Sequence, residues 1–133
     1  MKNTKININI NSPSIVPIRS YLNPYKQKEE ICRDNENKSG VYRWVNKING
    51  KMYVGSSTSL SRRILFYYSL SSLKIKVKGS IIIQRALLKY GYSNFSIDIL
   101  EYCEPNELIS REQYYINLLN PKYNILKKAG ADP

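Results

Sequence analysis

Gly40-Val41-Tyr42-Arg43-Trp44-Val45-Asn46-Lys47-Ile48-Asn49-Gly50-Lys51-Met52-Tyr53-Val54-Gly55 reads as two strands folded back about Asn49-Gly50. Asn-Gly between runs of valine, tyrosine and tryptophan signals a hairpin, because both residues tolerate the positive φ that a tight primed turn demands. The strands are expected at 41–46 and 51–56. Side chains alternate with period two and opposed residues share a face, so any even-length loop puts Tyr42 and Tyr53 on the same side of the sheet. Val41, Val45 and Val54 then fill the other side, which Arg43 interrupts. Ten residues after Tyr53 comes Arg63. Phenolic oxygens near a phosphate can hold or deprotonate a water, and an arginine can neutralise charge building on phosphoryl oxygens.

Outward from the hairpin, Ser56-Ser57-Thr58-Ser59 offers N-cap oxygens to a helix expected from Leu60 to Ser69, with Leu60, Ile64, Tyr67 and Tyr68 on one face. Arg63 and Tyr67 are neighbours at i, i+4. In residues 70–79, Lys74, Lys76 and Lys78 alternate with Ile75 and Val77, as a basic loop or a short edge strand. Ser80 opens a second helix in which Ile83, Ala86, Leu87 and Tyr90 follow a 3.6-residue period and Gly91 supplies the cap. A third strand runs from Phe95 through Cys103, and Pro105 starts a third helix. On that helix Glu112 shares a stripe with Leu108, Tyr115, Ile116 and Leu119, so its carboxylate needs a partner: an arginine, a hydrogen-bond network or a metal. Upstream, residues 1–25 read as an extended or disordered arm, and 26–37 as room for one short helix.

The 133 residues suit one domain. Lys+Arg 21 against Asp+Glu 10 gives a net charge of +11, which favours a polyanionic partner, nucleic acid first. A membrane is the weaker candidate, since no segment approaches the roughly 20 apolar residues a spanning helix needs. With no histidine in the chain, a serine-type triad and an imidazole base are excluded. Acid and base chemistry falls to Tyr, Lys, Asp or Glu. Cys32 and Cys103, far apart and without histidine partners, read as free thiols and not as a zinc site.

Together, Gly40-Val41-Tyr42, Tyr53-Val54-Gly55, Arg63, Glu112 and Asn124 resemble the motif set of the GIY-YIG nuclease superfamily, over residues 39 to about 127. Lys38-Ser39-Gly40-Val41-Tyr42-Arg43-Trp44, Leu60-Ser61-Arg62-Arg63, Leu87-Leu88-Lys89-Tyr90-Gly91 and Arg111-Glu112-Gln113-Tyr114-Tyr115-Ile116 are similar to the homing endonucleases encoded in group I introns of fungal mitochondria. The resemblance implies an α/β (α+β) domain, a three-stranded antiparallel sheet flanked by helices. It divides the chain into an N-terminal extension (1–38), a nuclease domain (39–127) and a short tail (128–133). It also implies hydrolysis of a DNA phosphodiester with a divalent metal, Mg²⁺ or Mn²⁺, by a monomer located in the mitochondrion.

By the same resemblance Glu112 is the metal ligand, Arg63 the phosphate clamp, Tyr42 the base or water positioner and Tyr53 a second hydroxyl at the scissile group. Tyr67 and Asn124 support them. Some relatives carry histidine where Tyr67 stands. Phosphate contacts are expected from Lys51, Lys74, Lys76, Lys78, Arg85 and Lys89, with Lys51 also placed to tune a tyrosine. Relatives continue into DNA-binding modules, whereas this chain ends at Pro133, so little sequence preference is expected of it. The competing functions are an idle nucleic-acid-binding domain that assists intron RNA, and a structure-selective repair nuclease.

Overall fold

The computed structural model describes residues 15–69 and 81–124. Its centre is a four-stranded antiparallel sheet in the order β1-β4-β2-β3, built from β1 (Arg19–Tyr21), β2 (Gly40–Asn46), β3 (Met52–Ser57) and β4 (Phe95–Tyr102). Four helices pack on it: α1 (Lys28–Asp34), α2 (Leu60–Phe66), α3 (Ile81–Tyr90) and α4 (Leu108–Leu119).

Period-two alternation divides the core into two layers. Tyr42, Trp44 and Tyr53 lie on one side of the hairpin and are buried with Ile97 and Ile99 of β4 against Ile31, Leu60, Ile64, Ile83 and Leu87 of the first three helices. Val41, Val54 and Leu100 lie on the other and are buried under Tyr115 and Ile116 of α4. Tyr42 and Tyr53 therefore share a face, as the alternation requires. Arg43 breaks the apolar pattern of the second face without disturbing the register. It stands opposite Asp98, and its guanidinium holds that carboxylate at 2.6 Å, while Ser20 Oγ donates to the same group. A charge on a half-covered sheet face is tolerable when paired and hydrogen-bonded.

The hairpin closes more widely than a primed two-residue turn. Asn46 N donates to Lys51 O at 2.9 Å, which leaves a loop of Lys47 to Gly50, and of its residues Gly50 alone takes positive φ, at 77°. Side-chain oxygens replace the second glycine-like position. Asn46 Oδ1 accepts from Ile48 N and Asn49 Oδ1 from Lys51 N, a local bonding mode open to asparagine. The loop length is even, so the facing of both tyrosines is unchanged.

A fourth strand comes from the segment read as an arm, and the short helix expected within 26–37 docks beside it as α1. Arg19–Tyr21 pairs with Ile97–Ile99 of β4, and Tyr21 is buried in the core. Tyr21 Oη donates to Asp34, Asn35 Nδ2 donates to Tyr21 Oη and to Ile31 O, and Tyr102 Oη donates to Asn35 Oδ1. That network seats the end of α1 on the sheet with its buried amide satisfied. Residues 1–14 of the expected arm lie outside the described residues.

One bulge sets the α4 side. Val41 pairs with Glu101 but Tyr42 with Ile99, so β4 carries one extra residue there. Leu100 and Glu101 consequently both turn toward α4, Leu100 into the core and Glu101 onto Arg111 and Tyr115. Gly40 is required at this junction, since a Cβ would stand 2.2 Å from the Glu101 carbonyl oxygen.

Candidate active site

β3 is an edge strand, and the expected functional side chains gather around its Gly55-Ser56 end. Tyr42 stands directly opposite Gly55. A Cβ at position 55 would lie 2.6 Å from Tyr42 Oη, so the glycine gives the phenol room to lie over the strand backbone. Tyr67, at the end of α2, meets it from the helix side through a 2.8 Å bond between the two hydroxyls. The Tyr53 ring lies 6.4 Å from that of Tyr42. Tyr42 and Tyr67 are fully buried, and Tyr53 is 6% exposed. Arg63, one turn before Tyr67 on α2, is half-buried and close enough for its charge to act on the Tyr42 phenol.

Glu112 approaches from the opposite side of β3. It projects from α4, and Ser56 Oγ donates to its Oε1 at 2.5 Å. The carboxylate thus has its required partner in a hydroxyl, helped by the field of Arg63. Among the described residues its Oε2 carries no hydrogen bond and no ion pair within 4 Å. The neighbouring Arg111 is committed elsewhere, to Glu101 at 2.7 Å.

Burial dominates the proton affinities here. It pushes the Tyr42 phenol above its ordinary value, against the opposing pull of Arg63 and the Tyr67 hydrogen bond. Tyr53 and Tyr67 are driven well above theirs, again first by burial and then by neighbouring phenols. The Glu112 carboxyl is also raised by burial, with Ser56 and Arg63 working to keep it ionised. Arg63 loses solvation, but Tyr42 and Tyr67 more than offset this and hold its proton tightly. The charge of Arg63 therefore does not bring the Tyr42 phenol down toward neutral pH in the free protein. It is a neutral phenol, suited to holding a water and passing a proton in concert with other charge movements.

Asn124 belongs to the scaffold of the site. Its Oδ1 accepts from Val54 N at 3.0 Å and its Nδ2 donates to Val54 O at 2.9 Å, while Tyr123 N donates to Met52 O and Tyr123 Oη accepts from Asn46 Nδ2. On the edge strand the outward backbone groups fall at Met52, Val54 and Ser56, since Asn46 and Lys51 form a bonded pair and such pairs alternate. Tyr123 and Asn124 cover the first two and so fix the strand that carries Tyr53. Among the described residues no outward backbone bond covers the third, Ser56, beside Glu112.

Among the expected phosphate contacts, Lys51 is exposed at the hairpin, two positions before Tyr53 and away from Gly55. Arg85 and Lys89 lie one turn apart on the exposed face of α3. Lys74, Lys76 and Lys78 lie outside the described residues. The role of Ser56 was missed because its serine-rich surroundings read as capping residues. In fact Ser57, not an N-cap, occupies that local bonding, with Oγ accepting from Ser59 N and donating to Ser59 O. Alternation puts Val54 and Ser56 on one face, but only the fold shows that α4 covers it.

The family model for the GIY-YIG catalytic domain matches residues 38–124. The chain is 35% identical over 132 residues to a probable intron-encoded endonuclease bI1 of Neurospora crassa, covering 92% of this chain and 28% of the relative. It is 36% identical over 89 residues to intron-associated endonuclease 1 of Enterobacteria phage T4, covering 65% of this chain and 35% of the relative. The matches thus span about a third or less of those relatives' lengths. Among solved structures it resembles the catalytic domain of the homing endonuclease I-TevI, with a TM-score of 0.55 and 35% identity over 67% of this chain and 99% of that one. With the family's motif residues assembled at one strand edge, the chain belongs to the GIY-YIG endonucleases, as a nuclease domain related to intron-encoded homing endonucleases.

Proposed function

We propose that this domain hydrolyses DNA phosphodiesters with the help of one divalent cation, Mg²⁺ or Mn²⁺, held by Glu112. The observation that carries the reading is the meeting of Arg63, Tyr42, Tyr53 and Tyr67 with the carboxylate of Glu112 at the edge strand β3. Oε2, which has no partner among the described residues, fits an ion that keeps several waters and takes few protein ligands, as magnesium does. When bound there, such an ion would lower the pKa of a water and neutralise phosphoryl oxygens.

The chain's own residues supply the rest. Arg63, half-buried and firmly protonated, binds a nonbridging phosphate oxygen and stabilises charge that grows in the transition state. Tyr42 accepts a hydrogen bond from the attacking water, oriented by its own bond to Tyr67. A proton reaching Tyr42 is accommodated only as another leaves its hydroxyl, because the free phenol is neutral. Tyr53 offers a second hydroxyl near the scissile group. In-line attack releases the 3′ oxygen and leaves a 5′-phosphate.

Net charge of +11 supports salt-sensitive attachment to the phosphate backbone, with Lys51, Arg85 and Lys89 among the contacts. Similarity to intron-encoded relatives supports a role in intron homing and a mitochondrial setting. Incubating supercoiled and linear DNA with the protein in Mg²⁺ or in chelator tests the reading. Cleavage in Mg²⁺ but not in chelator is expected; binding with no cleavage in Mg²⁺ would leave an idle nucleic-acid-binding domain.

A further inference from the structure

Resting on the metal reading of Glu112, we propose that Ser56 is a positioning residue that restricts this carboxylate to one-oxygen coordination, and so sets the site's preference for a small six-coordinate ion over calcium. The geometry has three parts. Ser56 Oγ donates its proton to Glu112 Oε1 at 2.5 Å, which occupies the oxygen facing the strand. Oε2 is left as the coordinating atom, with no partner among the described residues. The serine itself cannot swing away freely, because it continues β3 in register opposite Val41, on a strand whose preceding residues are clamped by Tyr123 and Asn124.

Coordination chemistry supplies the consequence. Calcium accepts six to eight oxygens and gains from a bidentate carboxylate, whereas magnesium demands a near-octahedral shell and takes one oxygen per carboxylate. A hydroxyl bound to one carboxylate oxygen therefore costs calcium a ligand and costs magnesium nothing. Threonine can make the same bond, and its extra methyl suits a strand. Alanine cannot.

The test uses the full 133-residue chain labelled at the glutamate side-chain carbonyl carbon, with no DNA and no turnover. Mn²⁺ is titrated while paramagnetic broadening of the Glu112 signal is followed, and Mg²⁺ or Ca²⁺ is then added to displace it. In the wild type, Mg²⁺ is expected to restore the signal at lower concentration than Ca²⁺. Ser56→Ala should shift the Ca²⁺-to-Mg²⁺ ratio toward calcium by about tenfold, the equilibrium equivalent of one hydrogen bond to a charged group. Ser56→Thr should keep the wild-type ratio. A ratio unchanged in Ser56→Ala, or shifted equally by Ser56→Thr, would overturn the role of Ser56 while Mn²⁺ broadening still supports Glu112 as ligand. No broadening in the wild type would sink the metal reading itself, and this proposal with it.

Discussion

Replacing Asn124 by alanine should damage the fold first and the chemistry second. The side chain makes two hydrogen bonds to one residue, accepting from Val54 N at 3.0 Å and donating to Val54 O at 2.9 Å, and it is 8% exposed. Alanine removes both and leaves a buried donor and acceptor without partners. Each orphaned group costs about 1–3 kcal/mol, and partial access of water to a strand edge favours the lower half, so a loss of about 2–4 kcal/mol is expected. At about 4 °C per kcal/mol for a chain of this size, the melting temperature should fall by about 8–16 °C. Because Val54 lies between Tyr53 and Gly55, the slackened strand also misplaces the phenol seat, and cleavage below the melting range should drop by about 10- to 100-fold. Thermal denaturation followed by circular dichroism, with cleavage measured well below the transition, gives both readings. An Asn124→Ala protein that melts like the wild type yet has lost cleavage would refute the reasoning, since the side chain would then act on substrate directly.

Other outcomes follow from the same geometry. Arg63→Ala should lower the cleavage rate at saturating DNA by about 2–4 kcal/mol of transition-state stabilisation, with little change in DNA affinity; a pure affinity loss in gel-shift titration would remove its clamp role. Tyr42→Phe should be more harmful than Tyr67→Phe in single-turnover cleavage, because the Tyr42 phenol lies over Gly55 of the edge strand within the field of Arg63, while Tyr67 orients it; equal losses would point to one shared unit. DNA binding by this chain should weaken by about 0.9 log unit per log salt for each phosphate neutralised, and should not discriminate a cognate site from random duplex by the roughly thousandfold of specific binders, as fluorescence anisotropy at two salt concentrations can check.

The parts of the site that follow strand alternation were open to reading from residues alone. Tyr42 and Tyr53 share a face because the period survives any even loop, so a mistaken turn type cost nothing. Glu112 was identifiable as a carboxylate in need of a partner from its place on the α4 stripe, although the partner proved to be a serine hydroxyl 56 positions away. Contacts of that kind are non-local and leave no local pattern. β1 was hidden for a similar reason: Arg19–Tyr21 is too short to show alternation, and pairing with a strand some 78 residues downstream makes it a strand. Asn124 was recognisable by motif, but its work as a clamp on Val54 depends on a 70-residue return of the chain.

Glu112→Gln tests the central claim most directly. Glutamine keeps an oxygen that can accept from Ser56 and has nearly the same shape, but loses the charge that would hold a cation. Burial raises the Glu112 carboxyl, so the folded chain holds that proton more tightly than the unfolded one does; at neutral pH the ionised group therefore opposes folding, and its replacement should leave the melting temperature unchanged or higher. The decisive measurement is single-turnover cleavage of duplex DNA in Mg²⁺ by wild type and Glu112→Gln, with DNA affinity measured in parallel. The account predicts cleavage by the wild type and none by the variant, with affinity within a few-fold; undiminished cleavage by a folded Glu112→Gln protein would contradict it.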